Sequence, residues 1–81
     1  MTHGDALTGW SKDWTDRMIQ ILQGGRNQVT LTRSQPLQND LHYVEFMLED
    51  SNGDAQFKSK TLKRSDAARL LAEISHQQGL T

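Results

Sequence analysis

The sequence predicts a two-layer α+β domain in the order α-β-β-β-α, a three-stranded antiparallel meander with two helices packed on one face. Three observations predict it. Two stretches, residues 7–23 and the segment from Ser65 to Gly79, repeat apolar residues at spacings of three and four, the period of one helical face. Residues 27–33, 41–49 and 55–61 alternate apolar and polar residues with period two, as a half-covered strand does. The joints between these stretches hold Gly24-Gly25, Pro36, and Asn52-Gly53, which break or turn a chain.

The first helix takes its apolar face from Leu7, Trp10, Trp14, Met18, Ile21 and Leu22. Thr8 or Ser11 suits its N-cap, and Gly9 favours the later start near Ser11. Asp13 and Asp16 in the early turns oppose the positive end of the helix dipole. Gly24-Gly25 suits its C-terminal stop. In the first strand, Val29 and Leu31 point one way, and Gln28, Thr30 and Thr32 the other. The stretch "SQPLQND", residues 34–40, reads as a loop around the only proline. The second strand puts Val44, Phe46 and Leu48 on one face, and the third puts Phe57, Ser59 and Thr61 on one face. In the last helix Ser65 suits the N-cap and Asp66 the first turn. Ala67, Leu70, Leu71 and Ile74 form its stripe, Gly79 its stop, and Leu80 a contact back to Ile74.

The segment "LEDSNGDAQF", residues 48–57, supports two readings. A calcium loop with Gly53 at the sixth position would start at Leu48 and end at Ser59, so both essential carboxylates are missing. A hairpin with Asn52-Gly53 as a two-residue type I′ loop fits better. It sets Leu48 opposite Phe57, Phe46 opposite Ser59 and Val44 opposite Thr61 on the face expected to be buried. On the other face Glu45 meets Lys60, Met47 meets Lys58 and Glu49 meets Gln56. The expected core is Trp14, Met18, Ile21, Leu22, Val29, Leu31, Val44, Phe46, Leu48, Phe57, Leu70, Leu71 and Ile74.

With 81 residues, the chain reads as one small domain over 1–81, with residues 1–6 expected to lie outside its ordered part. The net charge of −1 gives no bulk attraction to nucleic acid or acidic membranes. Without cysteine, disulfides and cysteine-bound zinc are excluded. The opening "MTHGDALTGW" has no basic and apolar leader pattern, and no apolar run approaches the roughly 18 residues of a membrane helix, so a cytoplasmic protein without membrane contact is expected.

Catalytic patterns are missing. His3, His42 and His76 are scattered, none with an acidic residue at metal-ligand spacing. Gly24-Gly25-Arg26 lacks the spacing and the Lys-Ser/Thr of a phosphate loop. No enzyme, cofactor or metal is therefore expected. What remains is a surplus of adhesive side chains. Trp10 and Trp14 lie one turn apart, and Leu41, Tyr43 and Met47 share the open sheet face. These five are the candidate partner-binding residues of a small regulatory module that acts by binding a protein. The strip on the sheet face could equally serve self-association, and the first and third strands, as sheet edges, could pair in a homodimer, which Lys58 and Lys60 would discourage along the third.

The alternative is a nucleic-acid-binding module. Residues 56–69 carry Lys58, Lys60, Lys63, Arg64 and Arg69 against Asp66 alone, and Lys58, Lys63, Arg64 and Arg69 would hold phosphates. The cross-strand pairs of Glu45 with Lys60 and Lys58 would neutralise part of that patch. The α-β-β-β-α order is shared with double-stranded-RNA-binding domains. "KRSDAAR", residues 63–69, supplies part of the basic cluster those domains use, but "SQPLQND" lacks the histidine of their loop, so the likeness is one of topology alone.

Overall fold

The computed structural model describes residues 3–78, with side chains from residue 11 onward. The expected stop at Gly79 and the contact from Leu80 lie outside the described residues. The order is α1 (His3–Gln23), β1 (Gln28–Pro36), β2 (Leu41–Glu49), β3 (Ala55–Lys63) and α2 (Arg64–Gln77). The strands form one antiparallel sheet in the order β1-β2-β3, flanked by the two helices. This is the α+β fold the periodicities predict. Among the described residues, no helix is long and apolar enough to cross a membrane.

One layer holds the core. Val29, Val44, Phe46, Leu48 and Leu62 bury one sheet face against Trp14, Met18 and Leu22 of α1 and Ala67, Leu70 and Ile74 of α2. Trp14 leans on Phe46, with ring centroids 6.1 Å apart and planes tilted by 59°. Three expected core residues sit further out. Ile21 and Leu31 are partly exposed, and Phe57 is 67% exposed.

The displacement of Phe57 follows from the β2–β3 turn. Gly53 N–H donates to the Asp50 carbonyl at 3.0 Å, and Asp50 N–H donates to the Asp54 carbonyl at 3.0 Å. The Asp50 carboxylate accepts from the N–H groups of Asn52 and Asp54. Gly53 takes a left-handed φ of 85°. This is a three-residue loop, a turn followed by a left-handed glycine, in place of the two-residue loop expected. The pairing shifts by one residue, to Leu48↔Gln56, Met47↔Phe57, Phe46↔Lys58, Glu45↔Ser59 and Val44↔Lys60. Because side chains alternate, that shift turns every residue of β3 to the other face. Leu62 goes inward and is fully buried, and Phe57 goes outward.

Strand and helix ends are corrected too. β1 runs to Pro36, with a bulge between Leu31 and Arg33, so only 37–40 form the loop. There Asn39 and Asp40 both have φ of 61°, and Leu41 N–H donates to the Gln38 carbonyl, the pattern of a type I′ turn. α1 begins at His3, well before Ser11. Ser65 lies within the first turn of α2, whose N-cap is Lys63. Gly24 and Gly25 do end α1: their N–H groups donate to the Ile21 and Leu22 carbonyls, and Gly25 has φ of 72°.

Candidate functional site

Among the described residues, the helices pack on the inner face and none covers the outer one. Its residues follow from the register. From the β2–β3 turn outward, the cross-strand rows are Gln28–Glu49–Ala55, Thr30–Met47–Phe57, Arg33–Glu45–Ser59, Gln35–Tyr43–Thr61, and Leu41–Lys63. Phe57 stands beside Met47 and is the most exposed large apolar side chain in the described structure. Leu41, Tyr43 and Met47 lie on this face and are half-buried by their neighbours.

The centre of the face is a polar knot. Glu45 accepts a hydrogen bond from Tyr43 Oη at 3.1 Å and another from Thr32 Oγ1 at 2.9 Å. Thr32 is the extra residue of the bulge, which is what lets its hydroxyl reach Glu45. The Arg33 guanidinium lies over the Tyr43 ring, 5.8 Å from its centroid, and donates to Gln35 Oε1 at 2.8 Å. Glu45 and Lys60 are on opposite faces, so the expected ion pair between them does not form in this register.

The tryptophans part company. Trp14 is buried in the core and offers no exposed ring. Trp10 lies in α1, and its side chain is outside the described residues. The structure therefore brings Leu41, Tyr43 and Met47 together on one face and leaves Trp14 behind the sheet. Phe57 completes that face, and sequence reasoning missed it. The signal was Asp50, placed to cap a three-residue loop, together with the immediate neighbourhood of Leu62 and α2.

The basic residues are dispersed. Lys58 is half-buried on the inner side of β3, opposite Phe46. Lys63 closes β3, and Arg64 opens α2 with its Nε 3.7 Å from the Asp40 carboxylate. Arg69 bridges Asp16 at 2.9 Å and Asp66 at 3.1 Å. These carboxylates hold the guanidinium in its charged form. Asp66 belongs to a buried link between the helices. Ser11 Oγ donates to Asp66 Oδ2 at 2.8 Å and accepts from Lys63 N–H at 3.0 Å, tying α1 to the β3–α2 junction.

Two further features were not legible in the sequence. Ser34 Oγ and His42 Nε2 are 2.7 Å apart on the exposed end of β1–β2, and among the described residues nothing else holds the ring. A cleft of about 480 Å³ lies between the start of β1 and the end of α2, lined by Asn27, Gln28, Val29, Thr30, Gln77 and Gln78. Gln78 Nε2 donates across it to the Val29 carbonyl at 3.1 Å. Among the described residues no cluster of side chains could hold a metal ion. No family model, curated protein or solved structure matches this chain.

Proposed function

We propose that this protein is a non-enzymatic interaction module that docks a protein partner on the open face of its sheet. The observation that carries the reading is Phe57, 67% exposed in a chain this small and flanked by Met47. A large aromatic left in water has no stabilising role in its own fold, and aromatic side chains are the usual anchors of protein interfaces. Tyr43 and Leu41 extend the adhesive surface, and the Glu45 knot holds Tyr43 in one orientation. The cleft beside α2 offers amides, a hydroxyl and an apolar residue, a poor set for acid–base or nucleophilic chemistry.

The nucleic-acid reading has less support, because Arg69 is committed to Asp16 and Asp66 and Lys58 lies on the opposite side of the sheet from Lys63. A photo-activated cross-linking residue in place of Phe57, with a control at exposed Arg17 on α1, tests the docking face in living cells. Cross-links to one discrete protein from position 57 and not from 17 are expected. Equal yield from both positions, or none from 57, would remove the reading.

A further inference from the structure

The charges of the open face are ordered along the strands. Glu49 lies at the end next to the β2–β3 turn, and Lys63 at the opposite end. Midway between them the Arg33–Glu45–Ser59 row carries one charge of each sign. The apolar row of Met47 and Phe57 lies between Glu49 and the middle, and the row of Tyr43 and Thr61 between the middle and Lys63. Acidic and basic ends are thus exchanged by a half-turn about an axis across the strands. The two ends of such a face are complementary to each other, and the middle row meets its own copy with both signs present.

The geometry points to a second copy of this chain as an occupant of the open face, bound face to face with its strands antiparallel. This inference rests on the docking face proposed above and names its partner. A two-fold axis lying between the sheets, across the strands, stacks each strand on its own copy with direction reversed. Met47 of one copy then lies over Tyr43 of the other, and Phe57 over Thr61. Glu49 comes beside Lys63 of the second copy, twice over by symmetry. The two Glu45 carboxylates approach each other near the axis, and the two Arg33 guanidinium groups flank them, so the middle row is neutral as a whole. Glu45 is already held by Tyr43 and Thr32, which spreads its charge. The other in-plane axis, along the strands, would set Glu49 over Glu49 and give up both Glu49–Lys63 pairs, so charge favours the antiparallel arrangement.

The area sets the strength. Strands of nine residues in a three-stranded sheet span roughly 30 Å by 14 Å, a footprint of roughly 400 Å² per copy. Typical stable interfaces bury about 800 Å² on each partner and this face offers roughly half of that, so the dimer is expected at the weak, transient end of the range.

Sedimentation equilibrium of the full chain, from about 10 μM to about 1 mM at low salt, tests the inference. The wild type should show a reversible monomer–dimer equilibrium. Glu49→Lys alone and Lys63→Glu alone should each raise the dissociation constant roughly tenfold, because each sets like charges together at two symmetric places. The double variant Glu49→Lys/Lys63→Glu should return to within about threefold of the wild type, because the pairs re-form with signs exchanged. Circular dichroism of each variant confirms that the fold persists. A monomer at every concentration overturns the inference. So does a dimer indifferent to these changes and to Phe57→Ser, or one that the double variant fails to restore. If the chain stays monomeric while the cross-linker at position 57 still captures another protein, self-docking falls and the docking face stands.

Discussion

The two faces of one sheet differ both in what covers them and in what they are made of. The inner face carries Val29, Val44, Phe46, Leu48 and Leu62, with Lys58 and Lys60 along β3, and the outer face sets Leu41, Tyr43, Met47 and Phe57 among Arg33, Glu45, Glu49 and Lys63. On the inner face Phe46 is fully buried beneath α1 and α2. On the outer face Phe57, one strand away, is 67% exposed. The inner face is defined by its roof: Leu62 sits two residues before α2, and the junction is fixed by Lys63 N–H donating to Ser11 and Arg64 N–H donating to the Asp40 carbonyl. A strand anchored there cannot slip, and the outer face receives whatever parity leaves over. Exposed apolar surface on this protein is thus a consequence of register, and register is set at the two ends of β3.

The largest expected effect contrasts the two phenylalanines directly. Phe46→Ala should cost about 3–5 kcal/mol by denaturant titration, because it opens a cavity between the sheet and both helices. A domain of this size could unfold at that cost, so Phe46→Leu, expected near 1 kcal/mol, provides a folded comparison. Phe57→Ala should cost less than about 0.5 kcal/mol. A cost at Phe57 as large as at Phe46 would mean the outer face is covered in solution.

Next come two hydroxyls of the roof, one turn apart on α1 and both fully buried. Ser11 serves Asp66 and Lys63 N–H at once. Ser11→Ala should cost about 1–3 kcal/mol, because it leaves a buried carboxylate and a backbone donor each short of a partner. Thr15 Oγ1 has no hydrogen-bond partner among the described residues. Thr15→Val keeps the shape and removes the unsatisfied group, so it should raise the unfolding midpoint, by up to about 1 kcal/mol of stability. Equal losses at the two sites would mean that Thr15 has found a partner in solution.

The helices, the strands and most of the inner layer were legible because period and burial come from the same side chains. Trp14, Met18, Leu22, Val44, Phe46, Leu48, Leu70 and Ile74 are core by spacing and core in the structure. The register was not legible, because it rests on a choice between turns. Asn52-Gly53 looks like a type I′ pair, yet the I′ pattern appears at Asn39-Asp40, and Asp50 recruits Asn52 and Gly53 into a longer loop. Ending the third strand at Thr61 also hid Leu62, whose burial outweighs that of Phe57 because α2 begins two residues later. On the site, Leu41, Tyr43 and Met47 could be placed together from alternation alone. Phe57 could not, since its face depends on the turn, and the pairing of Arg69 with Asp16 joins residues 53 apart in sequence.

The turn itself is the next place to press. Gly53 holds φ of 85° with open space where a Cβ would go, so the cost of a side chain there is conformational and not steric crowding by neighbours. Gly53→Ala should cost about 1 kcal/mol, and the cross-strand contact between Met47 and Phe57 should persist in proton–proton NMR spectra. If the variant instead brings Phe57 next to Leu48, the turn alone sets the register, and the anchoring of Leu62 beneath α2 does not.

The smallest effect is electrostatic and belongs to the roof alone. Lys12 donates to the Asp16 carboxylate along α1 at 2.8 Å, and Arg69 donates to it across the seam of α1 and α2 at 2.9 Å. Lys12 most of all, then Arg69, holds Asp16 below the ordinary value of 3.8, and Asp16 in turn raises Lys12 above 10.5. A carboxylate whose folded value is depressed contributes stability that is present above its unfolded value and lost as pH falls through the folded one. A raised lysine contributes stability that is present below its unfolded value and lost as pH rises through the folded one. Asp16→Asn should therefore flatten both limbs of the stability profile, below about pH 4 and above about pH 10, while leaving the outer face untouched. The seam is open to solvent, so the difference should be small and should fade with added salt. Unchanged limbs in Asp16→Asn would show that neither the Lys12 pair within α1 nor the Arg69 pair across the seam adds stability, and that the inner layer closes by apolar packing and the Ser11 link alone.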